Sequence, residues 1–287
     1  MGTETVLSEH LKRRLQQAAS APGGGPDHGG AEQGLVRTRA LPVRASAVLA
    51  DCFPEGRDCS TAFGTVFACE VNLGEVCAGA STLSGRFLAA FDRAKQAPDR
   101  ALPAFLEPLK ASQPAAAALI DTETAGFHGR PLFLIGLVRY REGGLALTQY
   151  FARSYAEEAG VLAKLAEELP GLDLLISFNG KAFDWPFVRD RMAYHRIQCR
   201  AAIPHLDLLH PSRRRWRSQL PNCKLQTLER YLSGRWRSGD IPSEQIPQRY
   251  HDYVREQDAR LIAPIFHHNR MDLITMVELL IALVGRS

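Results

Sequence analysis

Eight residues constrain this chain more than any others: Ala117-Ala118-Leu119-Ile120-Asp121-Thr122-Glu123-Thr124, a short apolar run that ends in two acids one residue apart. The run suits a buried strand. Side chains alternate between the faces of a strand, so Asp121 and Glu123 share one face and Thr122 takes the other. Two like charges held side by side repel unless a cation sits between them or one is protonated. Oxygen-only ligands at the end of a core strand suit hard divalent ions such as Mg2+ or Mn2+. The rest of the sequence can then be searched for the missing ligands.

The chain of 287 residues is 45% hydrophobic and 23% charged, the balance of an ordinary soluble globular protein. No apolar run approaches the ~20 residues needed to cross a bilayer. The stretch from Val277 to Val284 is broken by Glu278 and reads as a core helix. The N-terminal residues show no hydrophobic core of a signal peptide, so a cytoplasmic location is expected. Six cysteines, at 52, 59, 69, 77, 199 and 223, form no C-x2-C pair, and reduced thiols are expected rather than a zinc site or disulfides. Net charge is only +4, but between Arg189 and Arg237 eleven Arg and one Lys face three acids, an excess of nine positive charges. Such a segment fits either a phosphate-binding surface or a solvated helical face.

Residues 1–33 contain a candidate helix, Ser8 to Ala19, followed by a Gly- and Pro-rich stretch from Ala21 to Gly30 that reads as a flexible linker. Residues 34–111 read as a small appendage of unknown role packed on the main domain, with a strand signal at 61–72 and a helix at 84–95. The main domain spans 112–287. After the Asp121 strand, strands are expected over 131–140 and 145–151, joined by a turn at Gly143-Gly144. A helix beginning near Ser154, a strand over 172–178, a short strand near 203–206 and further helices complete the order. This order predicts an α/β fold, a mixed sheet flanked by helices.

Two further segments carry acids at element boundaries. Asn179-Gly180-Lys181-Ala182-Phe183-Asp184 places an acid at a helix start just after a strand, where open α/β sheets form sites; alone, Asp184 reads more readily as a helix cap. The last helix carries His267, His268 and Asp272. His268 and Asp272 are four apart and share a helical face, whereas the spacing of His267 suits the turn just ahead of that helix.

Together these segments resemble the DEDD superfamily of 3′→5′ exonucleases, whose domain has the ribonuclease-H-like fold. Asp121-Thr-Glu123-Thr-Ala-Gly-Phe127 resembles the first motif, Asn179-Gly-Lys-Ala-Phe-Asp184 the second, and the histidines ending at Asp272 the third. The bacterial exonuclease-domain family of the YprB type is similar over roughly 116–285, also in Asp207-Leu-Leu-His-Pro-Ser-Arg-Arg, Leu225-Gln-Thr-Leu-Glu-Arg and Asp240-Ile-Pro. The resemblance implies hydrolysis at the 3′ ends of single-stranded DNA or RNA, DNA favoured, with two divalent cations, Mg2+ or Mn2+, ~4 Å apart. It implies Asp121, Glu123, Asp184 and Asp272 as metal ligands and His267 or His268 as general base, since the superfamily's base lies five residues before the last Asp (His) or four (Tyr).

Candidate substrate contacts are Thr124, Phe127, Asn179, Lys181 and Trp185, with Arg213, Arg214, Arg215, Trp216 and Arg217, where an aromatic residue is interleaved with cations as on single-strand binders. Phe183 reads more readily as a core residue. The competing readings are a nucleic-acid-binding module with a vestigial site, or an endonuclease or nucleotide phosphatase of the same fold.

Overall fold

The computed structural model describes residues 47–76, 79–98, 103–126, 129–199 and 202–285. The candidate helix and linker of the first 30 residues, and Phe127, lie outside them. In chain order the strands are β1 (Gly56–Thr61), β2 (Gly64–Asn72), β3 (Ala117–Thr124), β4 (Leu132–Arg141), β5 (Gly144–Phe151), β6 (Leu174–Ser177) and β7 (His205–Asp207). The longer helices are α1 (Leu83–Gln96), α2 (Glu158–Glu168), α3 (Asp184–Tyr194), α4 (Leu209–Trp216), α5 (Leu225–Ser233), α6 (Ile246–Glu256) and α7 (Ala263–Val284).

The strands form one sheet in the order β1-β2-β5-β4-β3-β6-β7. The pairs from β1 through β3 are antiparallel, while β6 runs parallel to β3 and β7 parallel to β6. The expected mixed sheet flanked by helices is therefore present. One boundary moves. The segment read as an appendage supplies the first two strands of this same sheet, with Phe67–Asn72 of β2 paired to residues 146–151 of β5. A long strand such as β5 would otherwise leave a row of peptide groups unpaired at an edge.

Alternation along β3 divides its side chains between two cores. Ala118 and Ile120 pack with α2, α3, α6 and the first turn of α7, through residues such as Leu162, Val188, Tyr250 and Phe266. Ala117 and Leu119 pack with α1, α5 and the rest of α7, through Phe87, Leu228 and Leu280. The apolar run of β3 is thus covered on both sides, as a central strand requires. Its last four residues emerge half-buried at the strand's C-terminal end.

Helix α7 is the element that crosses behind the acids. It begins at Ala263 with Pro264 in its first turn, a position where proline's missing N–H costs nothing. His267 therefore lies inside the helix rather than in a turn ahead of it, which corrects the expectation from spacing. The close approach of α7 depends on Gly136, the β4 partner of Asp121. A Cβ on Gly136 would stand 2.2 Å from Asn269 Oδ1 and 2.6 Å from Leu273 Cδ1. Gly136→Ala is expected to destabilise the chain by roughly 1–3 kcal/mol, the cost of overpacking, measured by urea denaturation; unchanged stability would show that α7 has room to spare.

Candidate active site

The three parallel strands present their C-terminal ends at one edge, and the sequence puts an acid at or just beyond each. Asp121 lies two residues past Leu119, which is level with Ile176 of β6. The chain leaving β6 turns through Asn179, in the left-handed region at φ 64°, and enters α3 at Asp184. Asp207 ends β7 opposite Ser177.

Asp207 holds the second motif's turn in shape. Its carboxylate accepts from the backbone N–H of Asn179 (2.8 Å), Leu209 (2.9 Å) and Lys181 (3.2 Å). Within that turn a Cβ on Gly180 would fall 2.7 Å from Ser177 Oγ and 3.1 Å from Asp184 Oδ2. Asp184 therefore packs against the turn that delivers it. It approaches from the Thr122 side of the sheet end, where Thr122 Oγ1 donates to Asp184 Oδ1 at 2.6 Å.

From the other side, α7 brings Asn269 and Asp272. Asn269 Nδ2 donates to Asp121 Oδ2 at 2.8 Å and to the Asp121 carbonyl at 3.3 Å. Asp272 meets a cation that the sequence reading missed. Arg237, only 4% exposed, donates through Nη2 to Asp272 Oδ1 at 2.6 Å, through Nε to Glu229 at 2.6 Å, and through Nη1 to Asp240 at 3.3 Å. The second Asp272 oxygen lies 3.5 Å from His268 Nε2, and His268 Nδ1 lies 2.8 Å from Asp240 Oδ1. Asp240 had appeared in the sequence only as part of an Asp-Ile-Pro resemblance. A cavity of about 480 Å³ opens beside Asp272 and His268, with Lys224, Arg230 and Arg237 among its lining.

The electrostatics follow from burial. Desolvation raises the pKa of Asp121 and Glu123 well above the ordinary carboxylate values, and repulsion adds to it, from Asp272 and Asp184 on Asp121 and from Asp121, Asp272, Asp184 and Asp240 on Glu123. Desolvation also raises Asp184 and Asp272, against the Thr122 hydrogen bond in the first case and the Arg237 and His268 charges in the second. Burial lowers the pKa of His267. Burial would lower His268 too, but its hydrogen bond with Asp240 and the charge on Asp272 outweigh that and raise it.

These donors suit a hard divalent cation in chemistry: oxygen-only, desolvated and mutually repelling. Asp121, Glu123 and Asp184 fit that role. Asp272 fits it less well, since both its oxygens face cationic or imidazole nitrogens. Among the described residues no group of three or more His, Cys, Asp or Glu side chains is arranged to hold a metal ion.

The candidate substrate contacts divide. Arg213 and Arg214 on α4 and Arg217 just past its end are exposed, as is Lys181 in the second motif's turn. Trp216 is buried, edge-on to Tyr231, and belongs to the core; helical phase turns it inward while its arginine neighbours face out. Arg215 is half-buried, with its guanidinium 5.3 Å from the Trp216 ring centre. Trp185 is partly buried against the core, whereas Phe183 is 65% exposed, the reverse of what was expected of the pair. Thr124 Oγ1 donates to the Gly126 carbonyl at 3.0 Å and shapes the turn after β3. The positive excess of 189–237 is also partly internal, because Arg191 pairs with buried Glu158 and Arg235 with Glu229 and Glu278.

Residues 118–284 match the family model RNase_H_2 of the RNase_H superfamily. The chain belongs to the RNase H superfamily. It is 31% identical over 166 residues to "Uncharacterized protein YprB" of Bacillus subtilis (strain 168), a match covering 56% of this chain and 40% of that one. The chain thus spans under half the length of that relative. A solved structure of the family B DNA polymerase from the hyperthermophilic archaeon Pyrobaculum calidifontis aligns with 58% of this chain and 24% of its own, at 14% identity and a TM-score of 0.47. No helix among the described residues is long and apolar enough to cross a membrane.

Repulsion among the acids makes a direct prediction. Glu123→Gln should raise the melting temperature of the metal-free chain by roughly 2–4 °C, the shift about 1 kcal/mol gives at this size, and should reduce the further rise produced by Mn2+. A lower melting temperature without metal would show that Glu123 is not under electrostatic load.

Proposed function

We propose that this chain is a divalent-cation-dependent 3′→5′ exonuclease acting on the ends of single-stranded nucleic acid, DNA favoured over RNA. The observation that carries the reading is the crowding of Asp121 and Glu123 of β3 with Asp184 at the start of α3, desolvated and close enough that Asp184 adds to the repulsion on the other two. These three residues would hold Mg2+ or Mn2+. A divalent ion bound there supplies Lewis-acid stabilisation of charge on the scissile phosphate. The second ion that the DEDD resemblance implies would require Asp272 to exchange its contact with Arg237 for a metal.

The histidines take different parts in this reading. His267 is half-buried, and its lowered pKa keeps the ring neutral near pH 7, so a ring nitrogen can accept a proton from the attacking water. His268 lies between Asp240 and Asp272, which favour its protonated form and leave it less suited to accept that proton. Arg213, Arg214, Arg217 and Lys181 offer exposed charges to the phosphate backbone, and the exposed ring of Phe183 offers a stacking surface beside the second motif.

End-labelled single-stranded oligonucleotides with Mn2+ test the reading, with EDTA as control. A ladder shortening from the 3′ end is expected, and Asp121→Ala should abolish it while leaving the folded circular-dichroism spectrum. Binding without cleavage would indicate a vestigial site; internal fragments or free phosphate alone would indicate an endonuclease or a nucleotide phosphatase. His267→Ala is expected to lower kcat by about 10²-fold or more at an unchanged melting temperature. His268→Ala should cost less in rate but lower the melting temperature, because it leaves Asp240 and Asp272 facing each other. The reverse ranking of rates would give the base role to His268.

A further inference from the structure

Four strands place Asp121, Gly136, Gln149 and Cys69 in one cross-strand row. Above Gly136, where no side chain intrudes, Asn269 of α7 spans from Asp121 to Gln149. Gln149 Nε2 donates to Asn269 Oδ1 at 2.8 Å and to the Phe266 carbonyl at 3.0 Å. Gln149 Oε1 in turn accepts from Arg270 Nε at 2.7 Å. Arg270 Nη2 completes the row, donating to Glu55 Oε1 at 2.8 Å and lying 2.8 Å from Cys69 Sγ. Gln149 and Asn269 are both fully buried, on a central strand and the longest helix.

The direction of donation along this row is fixed at both ends. Arg270 can only donate, so the Gln149 carbonyl faces it and the Gln149 amide faces Asn269. Asn269 then turns its own amide toward Asp121. Reversing either amide would set two carbonyl oxygens, or a carbonyl and a carboxylate, against each other in a buried site.

We propose that Gln149 and Arg270 are positioning residues for the Asp121 carboxylate, acting through Asn269, and that residues 55–72 serve the site by anchoring Arg270. This rests on the cation-binding reading of Asp121. It gives the N-terminal strands a function that their sequence does not announce: Glu55 and Cys69 fix the guanidinium that sets the polarity of the row. Groups that orient a metal ligand typically change metal affinity by about 10–100-fold when removed.

The test uses the full chain and Mn2+ alone as the probe, titrated calorimetrically. Gln149→Glu keeps the shape of the side chain and its pairing with Arg270 but cannot donate to Asn269. It is expected to retain the wild-type melting temperature within a few degrees while weakening Mn2+ binding by about 10-fold or more. Added negative charge by itself would tighten cation binding, so the two explanations have opposite signs. Arg270→Lys keeps the charge and removes the forked donor geometry; it should weaken Mn2+ binding in the same direction and carries the test if Gln149→Glu fails to fold. Folded variants that bind Mn2+ as tightly as the unaltered chain would overturn the positioning role and leave the nuclease reading standing. No Mn2+ binding by the unaltered chain would overturn the cation reading, and the relay with it.

Discussion

Carboxylates drawn out of water at one sheet edge must be compensated, and a large part of this chain is arranged around that requirement. Asp121 receives Asn269, Asp184 receives Thr122, and Asp272 receives Arg237 beside His268. Each compensator comes from a different element: α7, the opposite face of β3, and the connection after α5. The compensation is incomplete, since desolvation and mutual repulsion still push Asp121 and Glu123 well upward. A cation bound among such groups would relieve that repulsion.

The sheet topology explains why this arrangement sits where it does. Parallel strands end side by side, so the turns that leave them share an edge, and β3, β6 and β7 are the strands so related. Asp207 shows how firmly that edge is built: one carboxylate gathers three backbone N–H groups and so fixes the path from β6 into α3. Gly136 performs the matching task on the other side by admitting α7 to the sheet. Both devices act through backbone packing beside the acids and determine where Asp184 and Asn269 can be.

Much of this was legible in the sequence because it is local. The two-residue period of 117–124 declares a buried strand and a shared face for Asp121 and Glu123, and Asn179-Gly180 declares the turn ahead of Asp184. What could not be read depends on register or helical phase. Nothing near Gln149 says that it lies two strands from Asp121 with a glycine between them. Arg237 looked like one surface cation among many, and only the folded chain reveals Glu229, Asp240 and Asp272 around it. Trp216 looked like a stacking residue because its neighbours are arginines, yet one step of helical rotation puts it in the core. His267 was displaced from its expected turn because α7 starts at Ala263 and makes His267 its fifth residue.

The central claim is that the strand-end acids form a site whose strain is relieved by a hard divalent ion. Crystals soaked in Mn2+ and measured at a wavelength that reveals the ion by anomalous scattering test it most directly. The account predicts a peak within bonding distance of Asp121 and of Glu123 or Asp184, with those side chains rotated toward it. A well-ordered edge with no ion there, or ions only at carboxylates elsewhere on the surface, would contradict it.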